Sequence, residues 1–267
     1  MASTEVIIVG NEVLLGLVQD TNSNYLCRVV RTLGGSVNHI AVVADRIDAI
    51  ADEIKSSLRR EPQLVFTCGG LGPTEDDLTL TAVGKACGLD LSVDETARQF
   101  VARRYAELAA AGHVSTAEMN ESRLKMAKLP RGAMVIENPV GTAPATQVRV
   151  NESRIVSLPG VPAELRGIVE GPLRPILAEV FGSGSYVEQE IFAESGDESM
   201  LAPALRRASR LHPKVYIKSH ARGFGPEAKF RITFSASGAT DREAEELIEL
   251  ARADVGRLLQ EAGIRVS

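Results

Sequence analysis

From Val6 to Cys87 the chain repeats one pattern: a short apolar run, a polar break, then a segment whose apolar residues recur at helical spacing. Val6–Val9 reads as a buried strand that stops at Gly10. From Asn22, read as a helix cap, Tyr25, Leu26, Val29, Val30 and Leu33 share one face, and Gly34–Gly35 ends the helix. Val37–Ala44 is strand-like again. Ile47, Ile50, Ile54 and Leu58 mark a helix with Asp45 as its expected cap. Leu64–Thr67 is the next strand. Thr74 is read as the cap of a helix that buries Leu78, Ala82, Val83 and Ala86 and stops at Gly88. Strand–helix alternation of this kind requires right-handed parallel crossovers, hence a three-layer α/β domain.

The pattern continues with a helix over 94–112 and a second one capped by Ser115 and Glu118 that stops before Pro130. Ala133–Glu137 is a strand, and Thr146–Val150 with Arg154–Leu158 form an antiparallel hairpin around Asn151–Glu152. Val161–Pro162 opens a helix to about Gly167, and a longer one continues to Phe181. At Gly182–Ser185, "GSGS", the order changes. Val187–Ala193 is a strand, Glu198–Arg210 a helix, Lys214–Ser219 and Lys229–Ala236 strands, and Asp241–Gly263 a long helix. The expected division is therefore an α/β domain over 1–170, a connecting helix and linker over 171–185, and a smaller β-α-β-β-α domain over 186–267.

Several function classes are excluded at this level. A net charge of −5 without a basic block does not describe a dedicated nucleic-acid binder. Cys27, Cys68 and Cys87 form no CxxC, as expected for reduced thiols. "MASTEVIIVG" lacks the form of a signal peptide, and no run approaches the roughly 20 apolar residues of a membrane span, so a cytoplasmic location is expected. His39, His113, His212 and His220 have neither ligand spacing nor acid neighbours in sequence, and no G-x-S-x-G elbow is present. In "ESGDES", Glu194–Ser199, Asp197 reads as a helix cap.

In open α/β sheets, ligands bind beyond the carboxyl ends of the strands. Four loops qualify: "GNEVLLGLVQDTNSN" (Gly10–Asn24), "GGLGPTEDD" (Gly69–Asp77), "NPVGTAPAT" (Asn138–Thr146) and "LPGVPAEL" (Leu158–Leu165). In the second, Gly69, Gly70 and Gly72 suit a close-approaching anion, yet Glu75, Asp76 and Asp77 follow directly. A divalent cation resolves that conflict: Asp77, with Asp76 and with Glu12 of the first loop, would hold it against a phosphate. The competing reading makes Thr74-x-x-Asp77 an ordinary capping box at a helix start.

Five segments, "VGNEVLLGLVQDTN", "GGLGPTEDDLT", "MNESR" followed by "LPRGA", "NPVGTAPA" and "LPGVPAEL", occur in that order over residues 4–170. Together they resemble the competence/damage-inducible CinA family, whose N-terminal domain belongs to the molybdopterin-binding MoaB/MogA-like superfamily. The C-terminal module is similar in element order to a KH-like domain.

The resemblance implies a MogA-type α/β/α sandwich and metal-dependent (Mg, Mn or Co) hydrolysis of ADP-ribose to AMP and ribose 5-phosphate, in a homodimer. It singles out Asp77, and together with the electrostatic reading above the expectation is Asp77 and Asp76 at the reaction and Asp77 and Glu12 at the metal. The ligand would be bound by Gly10, Asn11, Glu12, Asp20, Thr21, Asn22, Gly69, Gly70, Leu71, Gly72, Pro73, Thr74, Asn138, Gly141, Thr142, Ala143, Pro159, Gly160 and Val161. Asn11 and Ala145 depart from the family pattern, which usually has Asp or Thr before the Glu and a glycine after "GTAP". With the sequence ending at Ser267, the deamidase activity of longer family members is not expected.

Two rivals use the same residues differently. Molybdopterin binding or adenylylation would need the same fold and the same Asp77. An RNA-binding module would use the second domain, where "RGFGPE" (Arg222–Glu227) reads as a hairpin turn rather than a GXXG clamp. Lys214, Lys218, Arg222, Lys229 and Arg231 read there as a solvated face.

Overall fold

The computed structural model describes residues 2–182, 184–195, 197–221 and 229–267. The chain divides into two compact units. One holds the segment through Val30 together with Gly35–Val180, the other Arg31–Gly34 and Phe181–Ser267.

The first unit runs β1 (Ser3–Val9), α1 (Asn11–Leu14), α2 (Asn22–Thr32), β2 (Ser36–Val43), α3 (Ile47–Leu58), β3 (Leu64–Cys68), α4 (Thr79–Cys87) and β4 (Leu91–Val93). It continues through α5 (Glu95–Ala110), α6 (Glu121–Lys125), β5 (Lys128–Pro130), β6 (Met134–Ile136), β7 (Ala145–Val150), β8 (Ser153–Leu158), α7 (Pro162–Glu170) and α8 (Arg174–Phe181). Six strands form one sheet in the order β2-β1-β3-β8-β7-β6, and β4 pairs with β5 separately. β2, β1, β3 and β8 are mutually parallel, while β7 and β6 join antiparallel.

β3 is buried at every position, as a strand covered on both faces must be. Ile7, Val9 and Val65 face a core shared with Ile50 and Ile54 of α3 and Ala82 and Val83 of α4. Alternate residues Val6, Ile8 and Phe66 point the other way and are equally buried. On α2 and α7, Leu26, Val30, Leu165 and Ile168 are buried, and Tyr25 Oη donates to Glu170 at 3.0 Å between the two helices. The result is the expected three-layer sandwich. Asn151 takes a left-handed φ of 52° in the β7–β8 turn, which asparagine tolerates.

Several expected helix starts lie elsewhere. α2 is capped by Asp20, whose Oδ1 accepts the N–H groups of Asn22 and Ser23 at 3.0 Å each, and not by Asn22. α3 begins at Arg46 with no side-chain cap, because Asp45 instead accepts Asn11 N at 2.6 Å. Thr74 caps no helix, since α4 starts five residues later after Leu78. Residues 115–118 are not helical. Asn120 caps the short α6, its side chain accepting Arg123 N at 3.0 Å. The helix expected to run on to Phe181 breaks after Glu170, and α8 restarts at Arg174.

The second unit has β9 (Ser185–Glu194), a 3₁₀ turn (Glu198–Met200), α9 (Ala202–Leu211), β10 (Val215–Ala221), β11 (Lys229–Gly238), α10 (Asp241–Glu261) and a strand absent from the sequence reading, β12 (Arg265–Val266). Its antiparallel sheet has the order β10-β11-β9-β12. Phe230, Ile232 and Phe234 pack with Ala204 and Ala208 of α9 and Ile248, Ala251 and Val255 of α10. Asp197 caps the 3₁₀ turn as expected, accepting Ser199 N at 2.8 Å. Lys229 and Arg231 pair with Glu194 and Glu190 across strands. "RGFGPE" lies outside the described residues. The fold also gives two histidines acid partners that sequence spacing hid: His39 lies 3.3 Å from Glu53 and His212 2.9 Å from Asp254.

Candidate functional site

Because β1, β3 and β8 are parallel, the loops leaving them emerge at one sheet edge, and the loop entering antiparallel β7 joins them there. Between these loops lies a cleft of about 490 Å³. Its floor is the turn after β3. Gly69 N donates to Leu158 O at 2.9 Å, which ties this turn to the end of β8. Gly69 has φ +108°, and a β-carbon there would sit 2.2 Å from Val9 O, so the close approach of the β1 and β3 ends admits only glycine. Buried Thr79 locks the turn from below, its Oγ1 donating to Gly69 O at 2.7 Å and its N to Gly70 O at 3.1 Å. Among the described residues, the N–H groups of Gly70, Leu71 and Gly72 have no protein acceptor.

The walls carry carboxylates only. Glu12, Asp45, Asp76, Asp77 and Glu164 line the cleft, and its described lining contains no lysine, arginine or histidine. Asp77 closes a tight turn in which Thr74 N and Thr74 Oγ1 donate to its Oδ2 at 2.8 and 2.6 Å. Thr74 Oγ1 also lies 2.5 Å from Asp76 Oδ1, so one hydroxyl holds two neighbouring carboxylates. That hydroxyl, the Asp76 backbone and nearby Lys125 hold the Asp76 carboxyl below the usual aspartate range. The Thr74–Asp77 unit is thus a closed turn on the cleft wall, outside any helix.

Glu164 and Asp45 are cleft residues that the motif reading did not single out. Asn138, 1% exposed, donates through Nδ2 to Glu164 Oε2 at 2.7 Å and Ala143 O at 2.9 Å. Its Oδ1 accepts the N–H groups of Val140 and Gly141 at 3.0 and 2.8 Å. A β-carbon on Gly141 would sit 2.1 Å from Glu164 Oε2. Asn138 and Gly141 therefore build the seat of Glu164 rather than the cleft surface. Glu164 itself stands in the first turn of α7, where the helix dipole favours a carboxylate.

Of the other expected site residues, Pro73, Thr142, Ala143, Pro159, Gly160 and Val161 line the cleft. Gly10, Asn11, Asp20, Thr21, Asn22 and Thr74 do not, and their work is to position neighbours. Asn11 and Asp45 bond reciprocally, Asn11 N to Asp45 Oδ2 and Asp45 N to Asn11 Oδ1. Gly10 N donates to Val43 O at 3.2 Å, Thr21 O accepts Tyr25 N at 3.1 Å, and Asn22 Nδ2 donates to Gly160 O at 2.8 Å.

Among the described residues, no three acid, histidine or cysteine side chains converge as a ready-made metal cage. The oxygen donors present still suit a hard cation. Mg²⁺ typically takes one or two carboxylates and completes its shell with phosphate oxygens and water. Asp77 with Asp76 alongside, and Glu12 from the first loop, supply that kind of partial set.

A family model described as "Probable molybdopterin binding domain" matches residues 5–179. A protein of Aeropyrum pernix is 39% identical over 265 residues, covering 98% of this chain and 95% of the relative. One of Pyrococcus furiosus is 36% identical over 245 residues, covering 92% and 95%. Among solved structures, the protein CinA "with unknown function" from Thermoplasma acidophilum shares 34% identity with a TM-score of 0.59, covering 66% of this chain and 98% of that one.

Proposed function

Since the chain belongs to the family described as "Probable molybdopterin binding domain", we propose that its cleft binds a phosphorylated pterin or nucleotide and acts at the phosphate. The observation that carries this reading is the Gly70–Leu71–Gly72 turn, which lines the cleft with N–H groups that have no acceptor among the described residues, beside a lining whose charged groups are carboxylates only.

Magnitudes decide what must accompany the phosphate. Two like charges 4 Å apart repel by about 4 kcal/mol at an effective dielectric of 20. Hydrogen bonds to an anion contribute about 1.5–3 kcal/mol each. Three N–H donors are therefore consumed in offsetting one or two of the five acids, and a bare anion gains almost nothing. A divalent ion such as Mg²⁺, Mn²⁺ or Co²⁺ reverses the sign, and when bound it supplies charge neutralisation and polarises the phosphoryl oxygens. Asp77 and Glu12 would hold it, with Asp76 beside Asp77. Thr74 holds the two aspartates adjacent and keeps Asp76 ionised. Asn138 holds the Glu164 carboxylate ready to accept N–H or O–H donors from the non-phosphate part of the ligand.

Family membership favours molybdopterin binding as the first reading, with adenylyl transfer the reaction at phosphate that it would serve. ADP-ribose cleavage is the second, the reaction that the five CinA-like sequence segments imply. The test is to measure, on wild type and Asp77→Asn, both molybdopterin binding and AMP release from ADP-ribose, with and without divalent ions. Pterin binding without AMP release supports the first reading, and metal-dependent AMP release the second. A wild type inert in both assays refutes the proposal.

A further inference from the structure

A second cavity adjoins the turn that floors the acidic cleft. This smaller cavity of about 60 Å³ shares Gly70, Leu71, Gly72 and Asp77 with the cleft, but is bordered by Lys125 and Lys128. Both lysines also line an outer groove, together with Glu75 and Glu121.

The "MNESR" segment fixes this arrangement. Asn120 caps α6, and Arg123, 9% exposed, donates to the carbonyls of Thr116 and Glu118 at 2.8 and 2.7 Å while stacking 3.8 Å over the Tyr105 ring. The short helix so anchored carries Lys125, whose Nζ donates to Thr74 O. An ammonium has three donors, so two remain after this bond. Lys128, exposed at the start of β5, pairs with no carboxylate among the described residues.

Resting on the reading that the cleft takes a phosphorylated ligand, we propose that Lys125 and Lys128 form an anion subsite for a second phosphoryl group, which makes the protein select a diphosphate over a monophosphate. The cavity is small beside the main cleft, as a subsite for a single phosphoryl group would be. Lysine acts on phosphate as a point charge. A ligand with linked phosphates would then lie along the shared turn, one phosphate facing the acids through a cation and the next facing the ammonium groups.

The experiment is calorimetric titration of the full chain with inorganic pyrophosphate and with inorganic phosphate, each with excess Mg²⁺. It compares wild type, Lys128→Gln, Lys125→Gln and Lys125→Arg. Wild type is expected to bind pyrophosphate at least about tenfold tighter than phosphate. Each glutamine variant should lose about tenfold for pyrophosphate and stay within about twofold for phosphate, and Lys125→Arg should retain most of the preference. Lys128 is exposed, so its variant reports on the subsite even if losing Lys125 loosens the Thr74 turn. Glutamine variants that hold pyrophosphate as tightly as wild type overturn the proposal. So does a wild type that binds both anions equally, an outcome that leaves the phosphate reading of the cleft intact. A wild type that binds neither anion removes both.

Discussion

The cleft of the first unit and the surface of the second treat charge in opposite ways. In the second, acids and bases face each other across strands and along helix turns: Lys229 with Glu194, Arg231 with Glu190, Arg257 with both Asp254 and Glu261. In the first, five carboxylates surround one cleft with no basic side chain in its described lining. Surface pairs of the first kind contribute little and satisfy themselves. Carboxylates gathered with no basic side chain among them repel one another, so their grouping points to something the cleft takes up. Uncompensated charge, rather than the amount of charge, separates the two regions.

The contrast predicts a ranking of substitutions. The largest effect belongs to Asp77→Asn, which should weaken Mg²⁺-dependent binding of a phosphorylated ligand about a hundredfold by calorimetry, because on the proposed reading it removes a carboxylate that would hold the cation. Asn138→Ala comes next. It strips four hydrogen bonds from a buried position and leaves the Glu164 seat unsupported, at a cost of about 2–3 kcal/mol in urea unfolding and a parallel loss of ligand affinity.

The pH dependence is subtler. Asp76 is held below the usual aspartate range, so its charge, and any binding it supports, is fully present above that range and is lost only as pH falls through the depressed value. Thr74→Val should move that loss to higher pH, measured as affinity against pH. Smallest of all is Arg231→Gln in the second unit. The pair is more than a third exposed on each side, so stability should change by less than about 1 kcal/mol and binding not at all. A large effect there would break the contrast.

Much of this was legible in the chain. Apolar runs such as Leu64–Val65–Phe66 announce buried parallel strands, and parallel strands oblige their following loops to meet, so the cleft's place followed from periodicity alone. What misled were short polar side chains. Asp45, Thr74 and Ser115 carry the same local signal whether they cap a helix, close a turn or do neither, because the rule cannot see which N–H is nearest in space. Asp45 turned to Asn11, 34 residues away, and Thr74 to Asp77. Glu164 was hidden for a related reason: its seat is Asn138, 26 residues earlier, and nothing within "LPGVPAEL" marks the glutamate as held. The strand β12 escaped because two residues after a helix-ending glycine show no period.

AMP is the fragment common to adenylyl transfer and ADP-ribose cleavage, so its binding isolates the electrostatic core of the account. Titrating wild type with AMP in Mg²⁺ and again in excess EDTA should give saturable heat only when the divalent ion is present. Equal affinity in both buffers would mean that the glycine turn accepts phosphate unaided, and that the carboxylates around it hold no cation at all.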